Sequence, residues 1–222
     1  MSQPHPAFPP ADQPVSPEEL AAKLASKLCH DFISPAGAIV SGLDLLDDPT
    51  AKDMRDEAMD LIASSARKLV DQLAFARVAF GSSAGVAGFD CNELERLTRG
   101  VYGHVRATLE WTSATPSLPK AAAQSLVNLA QLAAGALPLG GVARVETSQD
   151  SSGYVISIVA TGPKARLHAE VAEGLSGAPL GDGLGGRWVQ AYYVHAIATA
   201  AGGTVQAEVV DDTIRFRAVL PA

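Results

Sequence analysis

The feature that most constrains this chain is a long hydrophobic seam near its N-terminus. Ala25, Leu28, Phe32, Pro35, Ile39, Gly42 and Leu46 follow at alternating steps of 3 and 4 residues, and Leu24, Ala38, Leu43 and Leu45 widen the stripe. That alternation keeps one face of an α-helix apolar or small turn after turn. The helix has a start signal, with Ser16 as its cap, Pro17 in its first position and Glu19 completing a capping box. It ends near Leu46, where Asp47-Asp48-Pro49-Thr50 breaks the pattern. A second helix, from about Ala51 to Phe80, presents Ala58, Ile62, Ser65, Leu69, Gln72 and Ala76, flanked by Leu61 and Leu73. Two long helices joined by so short a turn lie antiparallel. A lone hairpin cannot bury both flanks of such a stripe, so the pattern predicts a homodimer in which two hairpins pair as a four-helix bundle. Packing of the stripe on the chain's own C-terminal half is the alternative.

Residues 1–16 are rich in proline and read as a disordered tail, 17–80 as the hairpin, 81–88 as a Gly/Ser linker and 89–222 as a second domain. In that domain Asn92 to Glu110 reads as a helix, or as a helix followed by a strand, and Lys120 to Leu137 as an alanine-rich helix. Val142 to Gln149 and Tyr154 to Ala160 read as strands paired around Asp150-Ser151-Ser152-Gly153. Gly186 to Ala201 reads as a helix, and Thr204 to Val210 with Thr213 to Leu220 as a closing hairpin. Helices on one face of a mixed sheet make the fold class α+β. A net charge of −7 argues against a nucleic-acid partner. No apolar run approaches the roughly 18 residues that span a bilayer. With two widely spaced cysteines, Cys29 and Cys91, and no signal-peptide order at the start, a cytoplasmic protein is expected.

The seam places His30 on the outer face of the first helix, where an imidazole can reach a partner. Asp31 follows it, about 100° round the helix, and can approach the ring only from the side. There it is expected to accept a hydrogen bond from the Nδ1–H, fixing the tautomer and leaving Nε2 as nucleophile. Around His30 stand Ser26, Lys27, Ser34, Gly37 and Ser41, with Ile33 as one apolar anchor, a face suited to close docking of another protein. Pro35 removes a helical hydrogen bond to the Asp31 carbonyl and is expected to bend the helix. Cys29-His30-Asp31 does not read as a metal site, because consecutive helical residues diverge and no second ligand pair has zinc spacing. His104, His168 and His195 lack motif neighbours and read as surface or structural residues.

The run His30-Asp31-Phe32-Ile33-Ser34-Pro35-Ala36-Gly37-Ala38-Ile39 resembles the H-box of sensor histidine kinases. In those proteins a His-acid pair precedes a proline, and the hairpin dimerises into a four-helix bundle that displays the phosphorylated histidine. The resemblance implies that His30 is the phospho-acceptor and Asp31 its acid/base partner. The C-terminal half is similar in outline to the ATP-binding domain of the same kinases. Leu126 to Ala133 looks like the N-box helix, and Val159 to Lys164 like the segment that normally reads Asp-x-Gly-x-Gly. Gly181-Asp182-Gly183-Leu184-Gly185-Gly186 looks like the glycine box, with Ala201-Gly202-Gly203 as the turn beyond it. The departures matter more than the likeness. The Mg²⁺-holding Asn is Leu132, and an apolar side chain cannot coordinate a hard cation. The adenine-recognising Asp is Ala160, and the second Gly is Lys164, so ATP binding is not expected.

An intact H-box hairpin with a degenerate ATPase-like sandwich is similar to the ChpT-type histidine phosphotransferases of alphaproteobacterial cell-cycle relays, from about Glu18 to Leu220. That resemblance implies phosphoryl transfer from the receiver domain of a CckA-type hybrid kinase, through His30, to response regulators of the CtrA and CpdR types. It implies no cofactor bound by this chain, with Mg²⁺ supplied by the receiver. Two other functions stay open on the residues alone: an autophosphorylating sensor histidine kinase and a non-catalytic, receiver-binding dimer.

Overall fold

Helix α1 runs from Pro17 to Asp47. Ser16 caps it, its Oγ accepting from the Glu19 N–H at 3.1 Å. The Glu19 carboxylate pairs with Lys23 (3.5 Å) rather than returning to the cap. The helix stops at Asp48, whose carboxylate accepts from the Thr50 N–H and hydroxyl at 2.8 and 2.7 Å. Those two bonds hold its carboxyl below the usual range. A single 3₁₀ turn, Lys52–Met54, then intervenes, so α2 spans Arg55–Ala79 and begins later than its apolar pattern suggested. Pro35 lies buried inside α1 without ending it. The computed structural model describes residues 15–81, 88–179 and 185–222. Most of the expected tail and linker, residues 1–14 and 82–87, and Gly181 to Leu184 of the glycine box therefore lie outside the described residues.

The second half forms β1 (Phe89–Asp90), α3 (Cys91–Tyr102), β2 (Ala107–Ser113), β3 (Ser117–Leu118) and α4 (Lys120–Gly135). It continues as β4 (Gly141–Asp150), β5 (Gly153–Thr161), α5 (Ala169–Ser176), α6 (Gly186–Ala200), β6 (Thr204–Val210) and β7 (Thr213–Leu220). Residues 92–110 thus follow the helix-then-strand alternative. Five strands pair in the order β2-β4-β5-β7-β6, with β2 parallel to β4 and the other pairs antiparallel. Strict alternation sends Ala143 and Val145, Ile156 and Ile158, and Ile214, Phe216 and Ala218 to one buried face. The helices cover that face, as the α+β reading requires. The two-residue β1–β3 pair and the eight-residue α5 were not anticipated, being too short to carry a period.

The hydrophobic stripe of the hairpin divides between two fates. At the open end, Val15, Leu20 and Leu24 pack on Trp188, Val189 and Tyr192 of α6. Val15, assigned to the tail by its sequence, is therefore seated against the domain. Phe75, Val78 and Ala79 at the end of α2 enter the main core. Ala25, expected on the seam, is exposed, because this end of α1 turns the Leu20–Leu24 side toward α6. Farther along, Val40, Leu43, Met59, Val70 and Leu73 stay exposed.

Buried amides fasten the two halves. Asn128 on α4 donates to the carbonyls of Ala79 (3.0 Å) and Gln124 (2.9 Å), and its Oδ1 accepts from Gln190 Nε2 at 3.0 Å. Gln124 Nε2 donates to the Val78 and Gly81 carbonyls at 3.2 and 3.0 Å. These side chains satisfy carbonyls that the end of α2 leaves without helical partners.

Two stability measurements follow. Within the hairpin, a Cβ at Gly42 would lie 2.6 Å from Ile62 Cγ1 and 3.1 Å from the Ala58 carbonyl, whereas Gly37 has open space. Gly42→Ala is expected to lower stability by about 1–3 kcal/mol through overpacking, and Gly37→Ala to raise it by about 0.5–1 kcal/mol, both read by urea denaturation. Asn128→Leu strands the Ala79 carbonyl, and denaturation should report a loss of about 1–3 kcal/mol for that group alone.

Candidate functional site

His30 projects from α1 with its side chain 87% exposed. Its Nδ1 lies 3.7 Å from Asp31 Oδ1, too far for a hydrogen bond. The expected Nδ1–H···Asp31 bond is thus not made in this structure. The reason is local: the other Asp31 oxygen accepts from Lys27 Nζ at 2.5 Å, one helical turn back. Lys27 also departs from expectation. Read as an exposed docking residue, it is instead 12% exposed and lies between α1 and α6. Ser26, Ser34, Gly37 and Ser41 are exposed, and Ile33 is 71% exposed, so these stand on the accessible face around His30. Cys29 is exposed as well, while Cys91 is buried.

Beside His30 a cleft of about 780 Å³ opens between α1 and the N-terminal end of α6. Lys23, Lys27, His30, Asp31, Arg187 and Gln190 line it. Beneath Lys27 and Asp31 a smaller cavity of about 200 Å³ reaches toward α4, where Gln72, Gln131, Leu132 and His168 complete its wall. Gln190 ties that wall together by donating to Gln131 Oε1 at 2.6 Å as well as to Asn128. Burial, with Arg187 and Arg166 nearby, holds the His168 imidazole below its ordinary range. His104 pairs with Asp71 at 2.8 Å and His195 with the Leu175 carbonyl at 3.0 Å, both structural contacts.

The positions compared with nucleotide-binding boxes carry different chemistry. Leu132 is a buried aliphatic side chain on α4. Ala160 is fully buried on β5, between Ala143 and Ile214 of its neighbouring strands. Asn128, the first asparagine of the N-box-like run, has both amide hydrogens and its oxygen engaged within the protein. Lys164 adopts φ +56°, the left-handed region that glycine favours. Among the described residues there is no group of His, Cys, Asp and Glu that could hold a metal ion, and no helix long and apolar enough to cross a membrane. Sequence reasoning missed the Lys27–Asp31 pair, which its i,i+4 spacing could have revealed, and the approach of Arg187 and Gln190, for which no local signal exists.

Comparison with known proteins agrees across both halves of the chain. The histidine phosphotransferase C-terminal domain family matches residues 91–213. The chain is 35% identical over 204 residues to the protein phosphotransferase ChpT of Brucella abortus (strain 2308), covering 90% of this chain and 95% of that protein. It also superposes on a solved bacterial phosphotransferase with a TM-score of 0.82 at 32% identity, covering 91% of this chain and 97% of that one. A likeness that takes in the hairpin together with the sheet domain assigns this chain to the ChpT-type histidine phosphotransferases.

Proposed function

We propose that His30 carries a phosphoryl group from the receiver aspartate of a hybrid histidine kinase to the receiver aspartate of a response regulator. The observation that carries this reading is the 87%-exposed imidazole on a firmly seated helix, beside a domain whose nucleotide positions hold Leu132 and Ala160. In the forward step Nε2 of the neutral ring attacks the phosphorus of an aspartyl-phosphate. The N–P bond forms as the P–O bond breaks, and the electron pair leaves with the aspartate carboxylate. Nδ1 keeps its proton, so the ring becomes positively charged, and Asp31 Oδ1 at 3.7 Å offsets that charge. The second transfer reverses these bonds on another receiver. Because the transition state is loose, positioning and charge neutralisation dominate the rate.

The residues present do not fit Mg²⁺-ATP, since Leu132 offers no oxygen ligand and Ala160 no acid for adenine. The reading therefore contains no nucleotide step. By similarity the donor is a CckA-type receiver and the acceptors are regulators of the CtrA and CpdR types, docking on the face of Ser26, Ile33, Ser34, Gly37 and Ser41. The exposed Val40, Leu43, Met59, Val70 and Leu73 support pairing of two hairpins as a homodimeric four-helix bundle.

Mixing the protein with a ³²P-labelled receiver should label it on histidine, and His30→Ala should abolish that label while leaving the fold intact by circular dichroism. Label retained by the alanine variant, or robust label from ATP alone, would sink this reading. Light scattering should give the mass of a dimer, and Leu43→Glu combined with Val70→Glu should halve it.

A further inference from the structure

We infer that Lys27 is a positioning residue for phosphoryl transfer: it grips Asp31 and so holds the carboxylate beside the ring that becomes charged when His30 takes the phosphoryl group. This rests on the reading of His30 as phospho-acceptor. The demand it meets is physical. Transfer to Nε2 places positive charge on the ring, and a carboxylate offsets that charge only while its rotamer keeps it beside the ring.

Lys27 meets that demand by its geometry. Its ammonium is 2.5 Å from Asp31 Oδ2, which fixes the rotamer and leaves Oδ1 3.7 Å from His30 Nδ1. The pair is shielded, at 12% and 30% exposure, and both residues line both clefts. Lys23–Glu19 on the same helix, longer at 3.5 Å and more exposed, shows what an ordinary surface pair looks like here. Other charged and titratable groups around the pair are Lys23 and His30 on α1, Arg187 on α6 and His168 before α5. The facing side chains of α2 and α4 are Gln72, Gln131 and Leu132, which are neutral. Among the described residues lining the two clefts, Asp31 is the one acid, and Lys27 is the cation in contact with it.

The test follows single-turnover transfer from the ³²P-labelled receiver of a CckA-type kinase to the full-length protein. Lys27→Met should lower the maximal transfer rate by about fivefold, because the carboxylate is no longer held beside the ring. The receiver concentration for half-maximal rate should not change, and Lys27→Arg should restore the rate. In an Asp31→Asn background, Lys27→Met should cost no further rate, because the carboxylate it positions is gone. Lys27→Gln serves if the methionine variant folds poorly. An unchanged maximal rate with a raised half-maximal concentration makes Lys27 a docking residue and overturns the inference, as does a further loss of rate in the Asp31→Asn background. Both outcomes leave the role of His30 standing, whereas failure of the wild-type protein to take label overturns both.

Discussion

The joint between the end of α2 and α4 governs where everything else sits. A helix end must find partners for its last carbonyls, and here the partners are amide side chains of the neighbouring domain rather than water. Asn128 and Gln124 reach the carbonyls of Val78, Ala79 and Gly81, while Gln190 carries the network to α6. A buried amide network is high-stakes, since each unmade bond leaves a desolvated polar group. It makes the relation between hairpin and sheet domain specific where apolar contact alone would permit sliding. The second fastening, Leu20 and Leu24 against the stacked rings of Trp188 and Tyr192, acts at the same open end of the hairpin, on its first helix.

With both helices held at that end, the cleft beside His30 has a fixed wall. Gln190 belongs at once to the amide network and to the lining of that cleft, so the joint and the site share a residue. On α4, Asn128 gives one amide hydrogen to the main chain of α2, and its neighbours Val127 and Leu129 are buried and apolar. On α1, an exposed imidazole, a carboxylate and a largely buried ammonium stand within two turns.

Much of this was legible in the sequence, and the limits are instructive. The heptad-like spacing located His30 on the outer face, because a seam this regular leaves little rotational freedom. The long strands and helices were legible because each buries one face and so carries a period of two or near 3.6. The fate of Lys27 was not, since its burial depends on α6, which lies far away along the chain and announces no contact locally. The role given to Asp31 was incomplete for a related reason: adjacency to His30 drew attention, while the lysine one turn back was the better-placed partner. The split of the apolar stripe between α6 and open surface likewise depends on tertiary packing. Periodicity marks which face is apolar without saying what covers each stretch of it.

Lys164 shows a backbone shape imposed by its surroundings. It occupies the third position of the turn Gly162-Pro163-Lys164-Ala165, closed by the Ala165 N–H on the Gly162 carbonyl at 3.2 Å. Proline second and a left-handed third residue define a type II turn, in which lysine is a poor fit and strains the chain by about 1 kcal/mol. The surroundings therefore dictate the bend, and the residue complies. Glycine at that spot would relax the loop and leave Ala160, buried on β5, as it is. A bend set by its neighbours can thus tolerate a residue that local preference alone would reject there.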